Sequence, residues 1–239
     1  MGSKTGFAAL IFLLFCSPAF GQSVEVSLGD GALSLQTVQL FMVLTLLSLA
    51  PGIAMMVTCF PFMVTVLSIM RQAIGVQQAP PNMMIVSLAL FLTWFVMAPV
   101  FTEAWETGVA PLLDNAIDTQ TALDNTLAPF RVFMEGRVQQ ETVELMLNSA
   151  SQDFSSEPEL PLSVLVPSFL LSEIQRGFEI GFLIFLPFLV IDLVIAAVLM
   201  SMGMMMVPPA VVALPFKLAF FVIADGWSLI AGALVRSYS

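Results

Sequence analysis

The 239-residue chain is 59% apolar and only 10% charged, and its mean hydropathy of +0.98 lies outside the range of water-soluble domains. A formal charge of -10 with only seven Lys and Arg excludes a nucleic-acid binder, because phosphate contact needs a basic surface. Histidine is absent, which excludes imidazole metal sites and His-based triads, and two cysteines, Cys16 and Cys59, cannot build a zinc cluster or a disulfide framework. What remains is an all-α membrane protein with room for about four apparent spans of ~20 residues each and one polar insertion.

Residues 1–21 read as a secretory signal: Lys4 gives a positive start, Phe7 to Phe15 an apolar core, and Ala19-Phe20-Gly21 a small-x-small site that places cleavage between Gly21 and Gln22. An uncleaved first membrane helix is the competing reading, and the shortness of the apolar run counts against it. Residues 22–34 are polar and read as a short extracytoplasmic lead. Residues 35–101 read as N-terminal helical hairpins. Within them Leu35 to Val57 is interrupted by Pro51-Gly52, and Phe60-Pro61-Phe62 marks a second break. Met83 to Phe101 returns antiparallel to Phe60 to Gln78, with Pro80-Pro81 at the tip. Broken backbone in lipid needs protein or water to satisfy it, so the breaks imply close neighbours.

Residues 102–160 change character. Positions 101–160 hold eleven acidic residues against Arg131 and Arg137 alone, so this is an acidic, polar, extracytoplasmic helical insertion, most simply a solvated face. Phe130, Phe133, Met134 and Val138 recur at helical spacing and predict an amphipathic helix. Ser149 to Pro161 has the composition of a linker.

Residues 161–239 read as a C-terminal helical hairpin. They contain Glu173, Arg176, Glu179, Asp192, Lys217 and Asp225 inside apolar helices. Each charge at a bilayer centre costs about 2.5–3.5 kcal/mol, so six facing lipid are not credible and they are expected to be buried against protein or water. Snorkelling to a headgroup region is the alternative. Glu173, Arg176 and Glu179 are three apart and can pair along one side, whereas Asp192 falls well round the helix. Lys217 to Val235 is expected as one closing helix with Asp225-Gly226-Trp227 in its middle, after Pro208, Pro209 and Pro215 have broken the turn.

Between these two helices five of the seven residues 200–206 are methionine: Met200, Met202, Met204, Met205 and Met206. Unbranched, polarizable side chains seal irregular gaps and still yield when pushed. Gly203 loosens the backbone and Pro208-Pro209 stops the helix, so the stretch reads as a deformable constriction on a loop, with Met as lipid-facing filler as the alternative. Neither a phosphate-cradling Gly-x-x-x-x-Gly-Lys-Ser/Thr loop nor a Gly-x-Ser-x-Gly elbow occurs. No cofactor or metal is expected, and the chain reads as a structural or gating component and not as an enzyme.

The longer motifs carry a resemblance. Gly181-Phe182-Leu183-Ile184-Phe185-Leu186-Pro187-Phe188-Leu189-Val190-Ile191-Asp192, the methionine stretch through Pro209, Leu214-Pro215-Phe216-Lys217-Leu218 and Asp225-Gly226-Trp227 resemble the FliP family of flagellar type III export gate proteins. So do Arg71-Gln72-Ala73-Ile74-Gly75, Pro80-Pro81-Asn82 and Leu88 to Thr93, and the likeness covers nearly all of 35–238. It implies a homo-oligomer of about five copies that assembles with FliQ-like and FliR-like subunits, works with FlhA-like and FlhB-like export components, and sits in the bacterial inner membrane at the flagellar basal body. Unfolded flagellar subunits would pass through its centre, closed by a gasket at Met200 to Met206. It also implies an ion pair between neighbouring copies through Glu173 and Lys217. A virulence-type injectisome paralogue is the nearest alternative, and an independent small-solute transporter or channel a more distant one. Where the family commonly has a basic residue before its Val-Leu-Ser run, this chain has Phe62 in Pro61-Phe62-Met63-Val64-Thr65-Val66-Leu67-Ser68.

Overall fold

The structure, a computed structural model, describes residues 35–76, 79–150, 159–204 and 206–238; the expected signal, its cleavage site at Gly21 and Gln22, and the polar lead lie outside them, as does most of the expected linker. Among the described residues every regular element is helical, in keeping with the all-α class: α1 (Leu35–Met56), α2 (Phe60–Ile74), α3 (Asn82–Ala104), α4 (Ala110–Leu113), α5 (Thr119–Glu135), α6 (Gln140–Ser149), α7 (Leu162–Ser201), α8 (Pro209–Ile223) and α9 (Gly226–Arg236). Three stretches are long and apolar enough to cross a membrane, Val38–Met56, Asn82–Leu113 and Leu162–Ser201, and the bent pair α8 and α9 would make a fourth. The chain divides into residues 1–47 and a unit of 48–239, which holds α2 and every later element.

α1 runs on through Pro51-Gly52 without the expected interruption. The break falls later, at Val57–Cys59, and Pro61 sits in the first turn of α2, where its missing N–H costs no hydrogen bond. α2 ends on Gly75 (φ 84°), whose N–H donates to Gln72 O at 3.0 Å.

The core is built on α2. Phe62, Met63, Val66, Leu67, Met70, Ala73 and Ile74 repeat at helical spacing and are all buried. Phe62, where the resemblance leads one to expect a basic residue, is wholly enclosed. α2 packs most extensively along α7. Two glycines one turn apart allow that approach: a Cβ on Gly181 would lie 2.4 Å from Ile69 Cδ1, and one on Gly177 3.1 Å from the Thr65 side chain. Small residues four apart are the usual means by which apolar helices bring their backbones together.

α3 continues into a π-helical turn, Trp105–Val109, before α4. This turn docks on α5: Thr107 Oγ1 donates to Asn125 O at 3.2 Å and Asn125 Nδ2 donates back to Thr107 O at 3.1 Å. Gly108 lies so close to Thr126 and Ala122 that no side chain fits there. Asp118 caps α5, accepting from the Gln120 and Thr121 backbone N–H groups. Hydrogen bonds from the Thr121 hydroxyl and these amides hold its carboxyl below the usual aspartate range. The amphipathic pattern of α5 delivers Phe133 and Met134 to the core. Val138 lies beyond it, because the chain turns at Gly136 and Arg137 and packs Val138 from the connection to α6.

The closing segment is not one helix from Lys217 to Val235. It starts at Pro209, passes through Pro215, and breaks at Asp225 (φ 47°), where α9 departs at 61°. Pro209 occupies the first turn of α8, and the apolar packing of α8 keeps Pro215 inside the helix.

Candidate functional site

The methionine stretch is the connection between α7 and α8. Met202 is the C-cap of α7, Gly203 follows in the left-handed region (φ 75°), Gly203 N–H donates to Met200 O and Met204 N–H to Leu199 O, each at 3.0 Å. These two bonds form a Schellman motif, which satisfies the last carbonyls of α7 and turns the chain off the helix axis. Gly203 is there for its backbone: no atom stands within 4 Å of the Cβ it lacks. Pro208 precedes α8 in extended conformation and Pro209 opens it. Met200, Met202, Met204 and Met206 are exposed, Met206 at 98%. Met205 lies outside the described residues. The loop is thus an apolar, polarizable tip held by a well-formed turn.

The charges of α7 fall into two separate clusters. In the first, Glu173 is fully buried. Arg137 Nε donates to its Oε1 at 3.2 Å, the Tyr238 hydroxyl donates to its Oε2, and Arg176 Nη1 stands 3.8 Å from Oε1. Arg137 also donates from Nη1 to Ser237 O at 2.9 Å and lies over the Tyr238 ring, 4.0 Å from its centroid. Burial, then the facing Glu173 carboxylate, push the Tyr238 phenol well above its ordinary range, so the hydroxyl keeps its proton and remains a donor. Next to it Gln139 N–H donates to Ser172 Oγ at 2.9 Å, and the Ser172 and Thr142 hydroxyls are 2.7 Å apart. The polar insertion, the first third of α7 and the residues just after α9 therefore meet on one carboxylate.

In the second cluster Lys217, almost fully buried on α8, donates to Asp192 Oδ2 at 2.6 Å and to Ala73 O at 3.1 Å. The ammonium thus sits at the carbonyl end of α2, where the helix dipole favours a cation. Asp192 Oδ1 and Arg137 Nη2 are buried without a hydrogen-bond partner.

Glu173 and Lys217 are therefore far from each other within the chain, and each has internal partners: Arg137, Arg176 and Tyr238 for one, Asp192 and the Ala73 carbonyl for the other. The charges expected to be buried separate as well. Arg176 and Asp192 are half-buried, whereas Glu179 and Asp225 are exposed in the chain. Glu179 accepts from Gln175 Nε2 at 3.3 Å and does not extend the Glu173–Arg176 row, because six residues turn it to another face. Asp225 forms the elbow between α8 and α9 and accepts from Ser228 Oγ at 3.1 Å. Arg137, Ser237 and Tyr238 escaped the sequence reading. The signal was a buried glutamate in need of a donor, but nothing local told which of the few cations would reach it. Among the described residues no group of three or more Cys, Asp or Glu is placed to hold a metal ion. Cys59 is buried, and burial pushes its thiol up to about 12, which leaves it unreactive.

The fold and these sites define an all-helical membrane protein that buries two charged groups, Glu173 and Lys217, within apolar helices. The comparisons narrow the class. The FliP family model matches residues 43–234, and the chain belongs to the FliP family. It is 49% identical over 234 residues to the flagellar biosynthetic protein FliP of Caulobacter vibrioides, covering 97% of this chain and 88% of that one. The Bacillus subtilis protein of the same name is 46% identical over 203 residues, 84% and 92% of the two chains. That of Aquifex aeolicus is 41% identical over 236 residues, 97% and 98% of the two chains.

Proposed function

We propose that this chain is the pore-forming core subunit of a flagellar type III export gate, with its methionine loop as the seal. As a FliP-family chain it is a component of flagellar biosynthesis and export; the oligomer, the pore and the seal are the parts proposed. One observation carries them: the Schellman turn at Gly203 holds Met200, Met202, Met204 and Met206 outward at the tip between two apolar helices, with Met206 almost fully uncovered. Apolar side chains on a fixed tip gain by meeting their equivalents on other copies about an axis. A ring of thioethers closes a hole against ions and yields to a passing unfolded chain. FliQ-like and FliR-like subunits complete the ring, FlhA-like and FlhB-like components deliver the unfolded substrates, and the assembly sits in the inner membrane at the basal body after cleavage of the signal behind Gly21.

The test is the triple substitution of Met204, Met205 and Met206 by alanine in the assembled complex. Idle membrane conductance to small ions rises while the subunit still accumulates. Conductance equal to wild type rejects the seal.

A further inference from the structure

α8 returns along α7, and α9, which packs on α3 and α8, brings Tyr238 back to α7, so that this limb is bonded to α7 at two points, one at the fully buried Glu173 and one at the half-buried Asp192. On α7 the tie points, Glu173 and Asp192, are about 28 Å apart at 1.5 Å per residue. On the limb their partners, Lys217 and Tyr238, have a closely similar separation in sequence, so the ties fall in register. Lys217 lies mid-way along α8, with the methionine loop on one side and Tyr238 on the other. A rod pinned at one point can rock, and a rod pinned at two cannot.

The elbow between the ties is filled. A Cβ on Gly226 would come 2.2 Å from the Phe221 ring, the Trp227 ring stands edge-on to Phe221 at 5.5 Å, and Leu229 N–H donates to Asp225 O at 3.1 Å. Such a joint transmits displacement from α9 to α8. The far tie is made by several contacts at once. Tyr238 is stacked on Phe133 at 6.0 Å, edge-on to Phe62 at 5.5 Å, covered by Arg137, and bonded to Glu173. α9 itself buries little beyond Gly226, Ile230 and Leu234, so the grip at its end carries much of its attachment.

We propose that the limb is a lever with its fulcrum at Lys217–Asp192, the methionine loop at one end and a catch at the other, so that Tyr238 and Arg137 are positioning residues for the loop. The inference rests on the seal reading for its consequence, but not for its test. Tyr238→Phe keeps the ring contacts and removes the hydroxyl that bonds Glu173. In the detergent-extracted complex, amide exchange is expected to quicken several-fold in α9 and also at Gly203 and Met204, whose N–H groups are bonded in the loop turn, with α2 unchanged. Arg137→Lys, which keeps a charge for Glu173 but loses the fork onto Ser237, moves both regions in the same direction. Exchange that quickens in α9 alone, or nowhere, overturns the lever and leaves the seal standing. Conductance measured in parallel on the methionine variant decides the seal separately.

Discussion

At Glu173 the chain buries a charge in apolar surroundings and closes its own donors around it; at the methionine loop it exposes apolar side chains that it could have folded inward. The first is a solution for one subunit, complete within the chain. The second, under the proposed seal, is completed by other copies of the chain. The difference separates what stabilises the subunit from what makes it useful, and substitutions at the two places should report on different properties.

Glu173→Leu makes the largest break. It leaves the Arg137 guanidinium inside the core without its carboxylate, and removal of one member of a buried pair costs about 3–5 kcal/mol. Accumulation of the folded subunit is expected to fall steeply, and pairing it with Arg137→Met to recover much of the loss, as read by thermal unfolding of the extracted protein. Lys217→Met ranks second. It strands Asp192 and uncaps the Ala73 carbonyl, but the Asp192 side chain is 34% exposed and can find water, so the loss is smaller. The reciprocal exchange Glu173→Lys with Lys217→Glu sharpens the comparison further. It sets Lys beside Arg137 and Arg176 and Glu beside Asp192, so assembly is not rescued if the internal partners dominate; recovery of motility would instead favour the pairing across copies. Gly203→Ala is the mildest, about 1–2 kcal/mol for a left-handed residue with a Cβ, confined to the loop, with open space around the new methyl. Its unfolding temperature should fall by only a few degrees while amide protection at Met204 drops. Loss of protection throughout α7 would refute that confinement.

The elements themselves were legible from pattern: the break before α2 in its Pro61, the tip at Gly203 in its Met, Gly and Pro content, and the presence of charges within the apolar run of α7. Helix ends were less so. Pro51 and Pro215 looked like breaks yet lie within helices, Pro215 in one that buries Ala213, Lys217 and Phe221, whereas Asp225, which looked internal, is the elbow.

Composition and periodicity alone determined that this chain is all-helical, that it is apolar enough for a membrane, and that its buried charges require polar company, because hydropathy and the cost of burying charge are properties of each residue. Which group keeps that company was decided only by the fold. Arg137 lies thirty-six residues from Glu173 and Tyr238 sixty-five, and Lys217 reaches a carbonyl 144 positions away. Contacts at such range depend on how α2, α7 and the return limb pack, and that packing is set by the whole set of faces and glycine notches together, not by any local stretch.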